Sequence, residues 1–274
     1  MKHLSSRDNP FVKHLHALAH SARERRETNE TILDGVHLVQ AALSAARPLS
    51  ALAVSEHALA KPEVEDLLER AVHVPRYILS ERLFAHVSPV AQPAGILAVL
   101  PVPDVSGEIS ADASLVVLDG VQDPGNLGTL IRTAAAAGVK DVILTAGCAQ
   151  AWAPKVLRAA MGAHFVTRVH EQADPRVVSR GFSGEILATG LGPESGDLYA
   201  LDLRAPAIWL FGAEGQGLSA EVAALATRFV TIPMPGAIES LNVAAAAAIC
   251  LFEQVRQQAR TGAETSVRVI HSGG

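Results

Sequence analysis

From Ser114 to about Arg260 the chain repeats one pattern: a continuous apolar run, a glycine-rich loop, then a helical stretch. The runs are SLVVLD, DVILT, HFVTRV, EILATG, AIWLF and RFVTIP. Strands that are apolar throughout, rather than alternately polar, are covered on both faces, so the pattern predicts a mostly parallel sheet with helices on either side. In open sheets of this kind ligands sit beyond the carboxyl ends of the strands. The loops after the strands are therefore where chemistry is expected.

The preceding hundred residues read as a smaller α/β layer. Asn9-Pro10 is a helix start, with Asn as N-cap and Pro at the first helical position, and Phe11, Leu15, Leu18 and Ala22 follow at helical spacing. TILDGVHLVQAALSAA predicts a strand, a turn at Gly35 and a helix, LSALAVS a strand, and Pro62 to Arg70 a helix. VHVP reads as a short strand, Glu81 to His86 as a helical turn, and GILAVL as a last strand. PVPDVSGEISADA, from Pro101 to Ala113, has the Pro, Gly, Ser and acidic composition of a linker. The predicted organisation is a domain over 1–104, a linker over 105–113, a second domain over 114–260 and a flexible tail over 261–274.

Composition excludes several classes. Hydrophobic residues make up 49% and charged residues 19%, so a full core can form and disorder is excluded as the main state. The formal net charge of -5 excludes a globally basic nucleic-acid binder. Two cysteines, Cys148 and Cys250, make neither a disulfide framework nor a zinc-ligand spacing, so no metal is expected. MKHLSSRDNP has no apolar leader core, and the longest apolar run, Val243 to Phe252, is far short of the ~20 residues that span a bilayer. A cytoplasmic protein without membrane segments is expected.

Three loops stand out. In LDGVQDPGNLGTLIRTAAAAGV a strand ends at Asp119, and Gly120, Gly125 and Gly128 lead into a helix with Asn126 as the expected N-cap and Gly138 as its end. Arg132 is the only basic residue between Asp119 and Gly138. An isolated helix arginine is ordinarily a surface residue, but a glycine-rich approach to a helix N-terminus suits an anion. In LFGAEGQGLSAEV, Gly212, Gly215 and Gly217 allow close backbone approach to a ligand. Their G-x-x-G-x-G order is neither a dinucleotide fingerprint nor a P-loop. Glu214 is the acid among them, read by itself as a loop residue or a cap partner. In IPMPGAIESLNVAAAAAICLFE, Ser240 is the expected N-cap of an alanine-rich helix. Asn242 is poor for a first helical turn unless its amide has a task. No Ser/His/Asp relay is readable, which speaks against hydrolysis with a histidine base.

Residues 1–26 carry Lys2, Arg7, Lys13, Arg23, Arg25 and Arg26 against Asp8 and Glu24, a balance of +4, with His3, His14, His16 and His20 besides. Read blandly this is a solvated helix face; read functionally it is a basic arm for nucleic-acid phosphates.

The pieces D-G-V-x-D-P-G-N-x-G-x-x-x-R-T-A, F-G-x-E-G-x-G-L and I-P-M-x-G-x-x-x-S-L-N-V, in this order, resemble the SpoU (TrmH) family of RNA ribose 2'-O-methyltransferases over about residues 114–256. APKVLRAAMGAHF is similar to the family's S-P-K-x-x-R-A-S-x-G-A segment, and SSRDNPFVKHLHAL with ILDGVHLVQAAL resembles, more loosely, its L30e-like RNA-binding domain. The chain departs from the family at Ala244 and Ala160, where serine is usual, at Pro93-Ala94-Gly95 and at Asp34.

The resemblance implies an α/β fold: a SPOUT-type catalytic domain with a deep trefoil knot in a mostly parallel sheet, preceded by the smaller L30e-like domain. It implies S-adenosyl-L-methionine as methyl donor and a homodimer. It places Asn126, Arg132, Glu214, Ser240 and Asn242 in the catalytic centre. Thr189, Gly190, Leu191, Gly212, Ile232 and Leu241 would hold the donor. Arg7, Lys13, Arg23, Arg25 and Arg26 would meet RNA, ribosomal RNA ahead of transfer RNA. The alternatives are a transfer-RNA enzyme and a non-catalytic RNA-binding protein of the same fold. A nucleotide-dependent oxidoreductase lacks its fingerprint.

Overall fold

The computed structural model describes residues 1–105, 109–110, 112–190, 195–238 and 240–270, with side chains as far as residue 259. The chain divides into two units: Met1–Asp104 with Gln150–Val166, and Val105–Ala149 with Thr167–Gly274.

The first unit holds β1 (Lys2–Leu4), α1 (Pro10–His20), α2 (Ala22–Thr28), β2 (Glu30–Asp34), α3 (Val36–Ser44), β3 (Ala51–Ser55), α4 (Pro62–Arg70), β4 (Arg76–Leu79), α5 (Glu81–Val87) and β5 (Ile96–Pro101). Its sheet order is β1-β4-β3-β5-β2; β1, β4 and β3 run parallel, and β5 is antiparallel to both its neighbours. Helix α1 starts as its sequence dictates: Asn9 Oδ1 accepts from the Phe11 N–H at 2.9 Å and Pro10 opens the helix. Val12, Leu15, Leu18 and Ala19 form its buried stripe and meet Leu79, Phe84 and Leu97 in the core. Ser21 ends α1 and caps α2 through its hydroxyl. The strand expected at VHVP lies at the next four residues, Arg76–Leu79, because the register against β3 pairs Leu52 with Arg76 and Ser55 with Leu79.

The same unit includes a piece from later in the chain, with α7 (Pro154–Ala160). The Thr31 hydroxyl donates to the Trp152 carbonyl at 2.6 Å, Arg47 donates to the Phe165 carbonyl at 3.0 Å, and Arg158 pairs with the buried Asp34 at 3.0 Å. A Cβ on Gly162 would approach that of Ala41 to 2.9 Å, so glycine permits this close packing.

The second unit comprises β6 (Leu115–Asp119), α6 (Pro124–Ala136), β7 (Asp141–Leu144), β8 (Arg168–His170), α8 (Pro175–Ser179), β9 (Glu185–Thr189), β10 (Gly196–Asp197), β11 (Ala207–Gly212), α9 (Ala220–Ala223), β12 (Arg228–Thr231) and α10 (Val243–Ile270). All described pairings in its sheet are parallel, in the order β10-β12-β9-β11-β6-β7-β8. The runs of β6, β7, β9 and β11 are buried as expected, with Trp209 and Phe211 of β11 among the most enclosed side chains, whereas in β12 only Val230 is buried. HFVTRV is not one strand: Ala163–Phe165 is a 3-10 turn and the strand begins at Arg168. The helical backbone of α10 continues to Ile270, through most of the stretch expected to be tail; residues 271–274 lie outside the described residues.

The chain enters this sheet at β6, moves outward through β7 and β8, and then returns to the other side of β6 with β11 beside it. The order reverses there, and Asp119 and Gly212 stand level at the carboxyl ends of the two strands. This is the position at which doubly wound sheets bind ligands.

Candidate active site

The loops after β9, β11 and β12 enclose a cavity of about 580 Å³ within the second unit. That is within the range of ~300–1,000 Å³ typical of small-molecule sites. Thr189 and Gly190 close one side and Gly212 to Gly215 another. Val230 to Ile232, Met234 and Ser240 to Val243 complete it.

Local chemistry holds each wall. Ala213 and Gly217 exchange two backbone hydrogen bonds, 3.0 and 2.9 Å, closing AEGQG into a tight loop with Gly215 and Gly217 at positive φ. Gly212 lies against this loop: a Cβ there would meet the Gly217 carbonyl carbon at 2.2 Å and the Leu218 nitrogen at 2.3 Å. Buried Asp119 anchors the loop's far end, accepting from the Ser219 N–H at 2.7 Å and from the Thr145 hydroxyl at 2.7 Å. Ser195 bonds Thr231 at 2.5 Å and donates to the Gly190 carbonyl at 3.3 Å, tying the β9 and β12 ends together. Neither Asp119 nor Ser195 was singled out from sequence. Asp119 carried the one usable signal, an acid closing an apolar strand.

At the mouth, Asn242 caps α10. Its Oδ1 accepts from the Ala244 and Ala245 N–H groups at 2.9 and 3.3 Å. Its Nδ2 donates to Asn126 Oδ1 at 3.1 Å and to Glu214 Oε1 at 2.5 Å. The cap is thus Asn242 and not Ser240, because the loop after β12 runs two residues further than the sequence suggested; Ser240 lines the cavity instead. Asn126 is likewise not the cap of α6. Pro124 opens that helix, so the cap falls on Asp123, whose Oδ1 accepts from the Asn126 N–H at 2.8 Å. Asn126 occupies the first turn with its side chain free to meet Asn242.

Asn126, Glu214 and Asn242 therefore form one hydrogen-bonded group, and Thr189, Gly190, Gly212, Ile232 and Leu241 all line the cavity beside it. Leu191 lies outside the described residues. Arg132 is exposed on α6, does not line the cavity and has no hydrogen bond or ion pair among the described residues.

Of the basic residues expected to meet RNA, Arg7 and Arg26 are exposed. Lys13 pairs with Asp8 at 3.1 Å and Arg23 with Glu27 at 2.6 Å, both in solvent. Arg25 departs from the expectation: it is 7% exposed, and its guanidinium donates to the Leu18 carbonyl at 2.7 Å and to Gln150 Oε1 at 2.8 Å. A guanidinium so enclosed is a structural strut. Neither cysteine is poised as a nucleophile; burial raises the Cys148 thiol and pushes Cys250 up to about 12. Among the described residues no group of three or more His, Cys, Asp or Glu is placed to hold a metal ion, and no helix is long and apolar enough to cross a membrane.

A model of the SpoU rRNA methylase family matches residues 113–252, and one of the MRM3-like substrate-binding domain matches residues 9–98. The chain belongs to the SpoU rRNA methylase family. Within this family it is 34% identical over 253 residues to the 23S rRNA (guanosine(2553)-2'-O)-methyltransferase RlmP of Bacillus subtilis, covering 92% of this chain and 98% of that one. It is 35% identical over 260 residues to an uncharacterized tRNA/rRNA methyltransferase of Synechocystis, covering 93% and 94%. The AdoMet-bound rRNA methyltransferase of Sinorhizobium meliloti superposes with a TM-score of 0.81 at 30% identity, covering 93% of this chain and 97% of that one.

Proposed function

We propose that the chain transfers a methyl group from S-adenosylmethionine to a ribose 2'-hydroxyl of ribosomal RNA. The observation that carries this reading is the cavity at the ends of β9, β11 and β12 with the Asn126–Asn242–Glu214 group at its mouth. The lining suits the donor. Val230, Ile232, Met234, Leu241 and Val243 offer apolar surface to an adenine ring, while Gly190 and the glycine loop present backbone groups to its polar edges. Gly190 adds room, since among the described residues nothing lies within 4 Å of where its Cβ would be. Thr189, Gly190, Gly212, Ile232 and Leu241, together with Leu191, hold the donor.

S-adenosylmethionine supplies an electrophilic methyl group. The rest of the chemistry is positioning in a site that excludes water. Asn126 and Asn242 orient the ribose, with Ser240 beside them, and Glu214 braces Asn242. The Arg132 guanidinium offers a planar fork of N–H donors and no acceptor. Its part is to bind the adjacent phosphate and stabilise charge developing on the attacking oxygen.

The region 114–260 is the methyltransferase domain and carries the family's knot. The region 1–104 is the RNA-binding domain, acting through Arg7, Lys13, Arg23 and Arg26. The enzyme acts as a cytoplasmic homodimer. Exposed Phe252 on alanine-rich α10, and Ile238 before it, are apolar surface available to a second copy. Ribosomal RNA stands ahead of transfer RNA because RlmP and the Sinorhizobium protein are named as rRNA enzymes.

Transfer of labelled methyl to RNA from a strain lacking this gene tests the reading. Label in ribosomal RNA supports it. Label in the transfer-RNA fraction overturns the substrate, and absence of label from naked RNA and from ribosomal particles alike, with donor still bound, overturns the activity.

A further inference from the structure

The N-terminal unit holds two kinds of histidine. His14 on α1 faces acids: its Nε2 lies 2.8 Å from Glu30 and its Nδ1 3.6 Å from Glu24. Two residues on, the chain turns to another face, and there the rings of His16 and His20 meet edge-on with centroids 4.6 Å apart. The ring of His86, from α5, stacks on His16 at 4.4 Å. Arg7, exposed just before α1, acts electrostatically on His86.

Among the described residues no carboxylate is paired with this group. On the elements packed against α1 and α5, each acid is engaged elsewhere: Asp8 with Lys13, Glu24 and Glu30 with His14, Glu27 with Arg23, Asp34 with Arg158, and Glu81 with the His57 N–H. The other charged groups on these elements are cations: Arg23, Arg25 and Arg26 on α2, Arg82 on α5 and Arg76 on β4. The buried Nδ1 of His16 has no hydrogen-bond partner. Burial first, then neighbouring positive groups, hold both His20 and His86 below the ordinary imidazole value; those groups are His16 and Arg25 for His20, and Arg7, His16 and His20 for His86. An anion placed among these rings favours their charged forms, so it binds with proton uptake. Among the described residues the three imidazoles are not placed as a group that could hold a metal ion.

We propose that Arg7, His16, His20 and His86 form a phosphate-binding patch that takes the RNA backbone and binds protons as it does so. This deepens the reading of the N-terminal unit as an RNA-binding domain and rests on it. Of the five basic residues expected to meet RNA, Arg7 alone belongs to the patch; His16 and His20 lie in the same N-terminal stretch and His86 comes from α5.

The test uses the full chain, deproteinised ribosomal RNA and inorganic phosphate. Between pH 7.5 and 5.5 wild-type affinity for the RNA should rise by roughly tenfold, with the salt slope steepening by about one for each phosphate newly engaged. His20→Gln/His86→Gln, checked for an unchanged melting temperature, should lose that rise and that steepening. In wild type, inorganic phosphate should raise the titration midpoints of the His16, His20 and His86 ring resonances and leave His14 unmoved. An unaltered pH dependence in the double variant overturns the proposal, as does a phosphate response at His14 equal to the others. Phosphate binding with RNA affinity indifferent to the double variant overturns the assignment to RNA. Methyl transfer by wild type at pH 8, measured separately, shows whether the enzymatic reading has failed instead, for that result is independent of the pH effect.

Discussion

Asn242 donates its side-chain amide to the carboxylate of Glu214, a residue 28 positions earlier, while its own carbonyl oxygen caps helix α10. One side chain thus fixes where the helix starts and how the glycine loop after β11 stands against Asn126. The helix cap and the proposed site meet at this residue, and two substitutions separate them.

Asn242→Asp keeps the capping oxygen and removes the donor. Its melting temperature should stay near wild type while methyl transfer falls as far as in Asn242→Ala. The alanine variant should also lose about 1 kcal/mol of stability with the cap. Thermal unfolding and single-turnover transfer of the two variants check this; equal transfer by Asn242→Asp and wild type removes the bridge from the account.

Gly212→Ala places a Cβ against the backbone of Gly217 and Leu218, where no flexible side chain can give way. Binding of S-adenosylmethionine, measured by calorimetry, should be lost, with a stability loss of about 1–3 kcal/mol from overpacking. Wild-type donor affinity in this variant would place the donor elsewhere.

Arg132 is exposed and outside the cavity lining. Arg132→Ala should therefore leave donor affinity and melting temperature unchanged and lower the transfer rate by on the order of 10²–10³-fold, the usual effect of removing one charge-stabilising donor. A matched loss of donor affinity would contradict this division of labour.

His164 is buried in the first unit against Trp152, with Nε2 at 3.0 Å from the Ala151 carbonyl and Nδ1 without a partner. Burial lowers its pKa from 6.5 to about 4, so the folded state holds the neutral ring and the unfolded state binds the extra proton. Its contribution is complete above pH 6.5 and is lost as the pH falls from there toward 4. At about 1.4 kcal/mol per pH unit this amounts to about 3 kcal/mol. Denaturant unfolding across that range should show the decline in wild type and a shallower one in His164→Gln.

The sequence was most legible where the physics is local. Continuous apolar strands announced the parallel sheet, Asn9-Pro10 announced α1, and Gly212, Gly215 and Gly217 announced one wall of the cavity. It was least legible where distant residues decide. Ser240 and Asn242 are both good caps, and the choice falls to Asn242 because Asn126 and Glu214 stand within reach of its amide. VHVP and RYIL are both strand-like, and pairing with β3 selects the latter. The segment Gln150–Val166 packs with the N-terminal residues through Thr31, Arg47 and Asp34, contacts that leave no periodicity behind. Arg25 reads like its basic neighbours, and only the fold turns it inward.

The most direct test of the central claim is where the methyl group goes. Ribosomal RNA from a strain lacking this gene is incubated with the enzyme and labelled S-adenosylmethionine, then hydrolysed in alkali, which cleaves next to a free 2'-hydroxyl and spares a methylated one. The account predicts label in alkali-resistant dinucleotides, lost with Asn242→Ala. Label released entirely as mononucleotides would place the methyl group on a base and contradict the account.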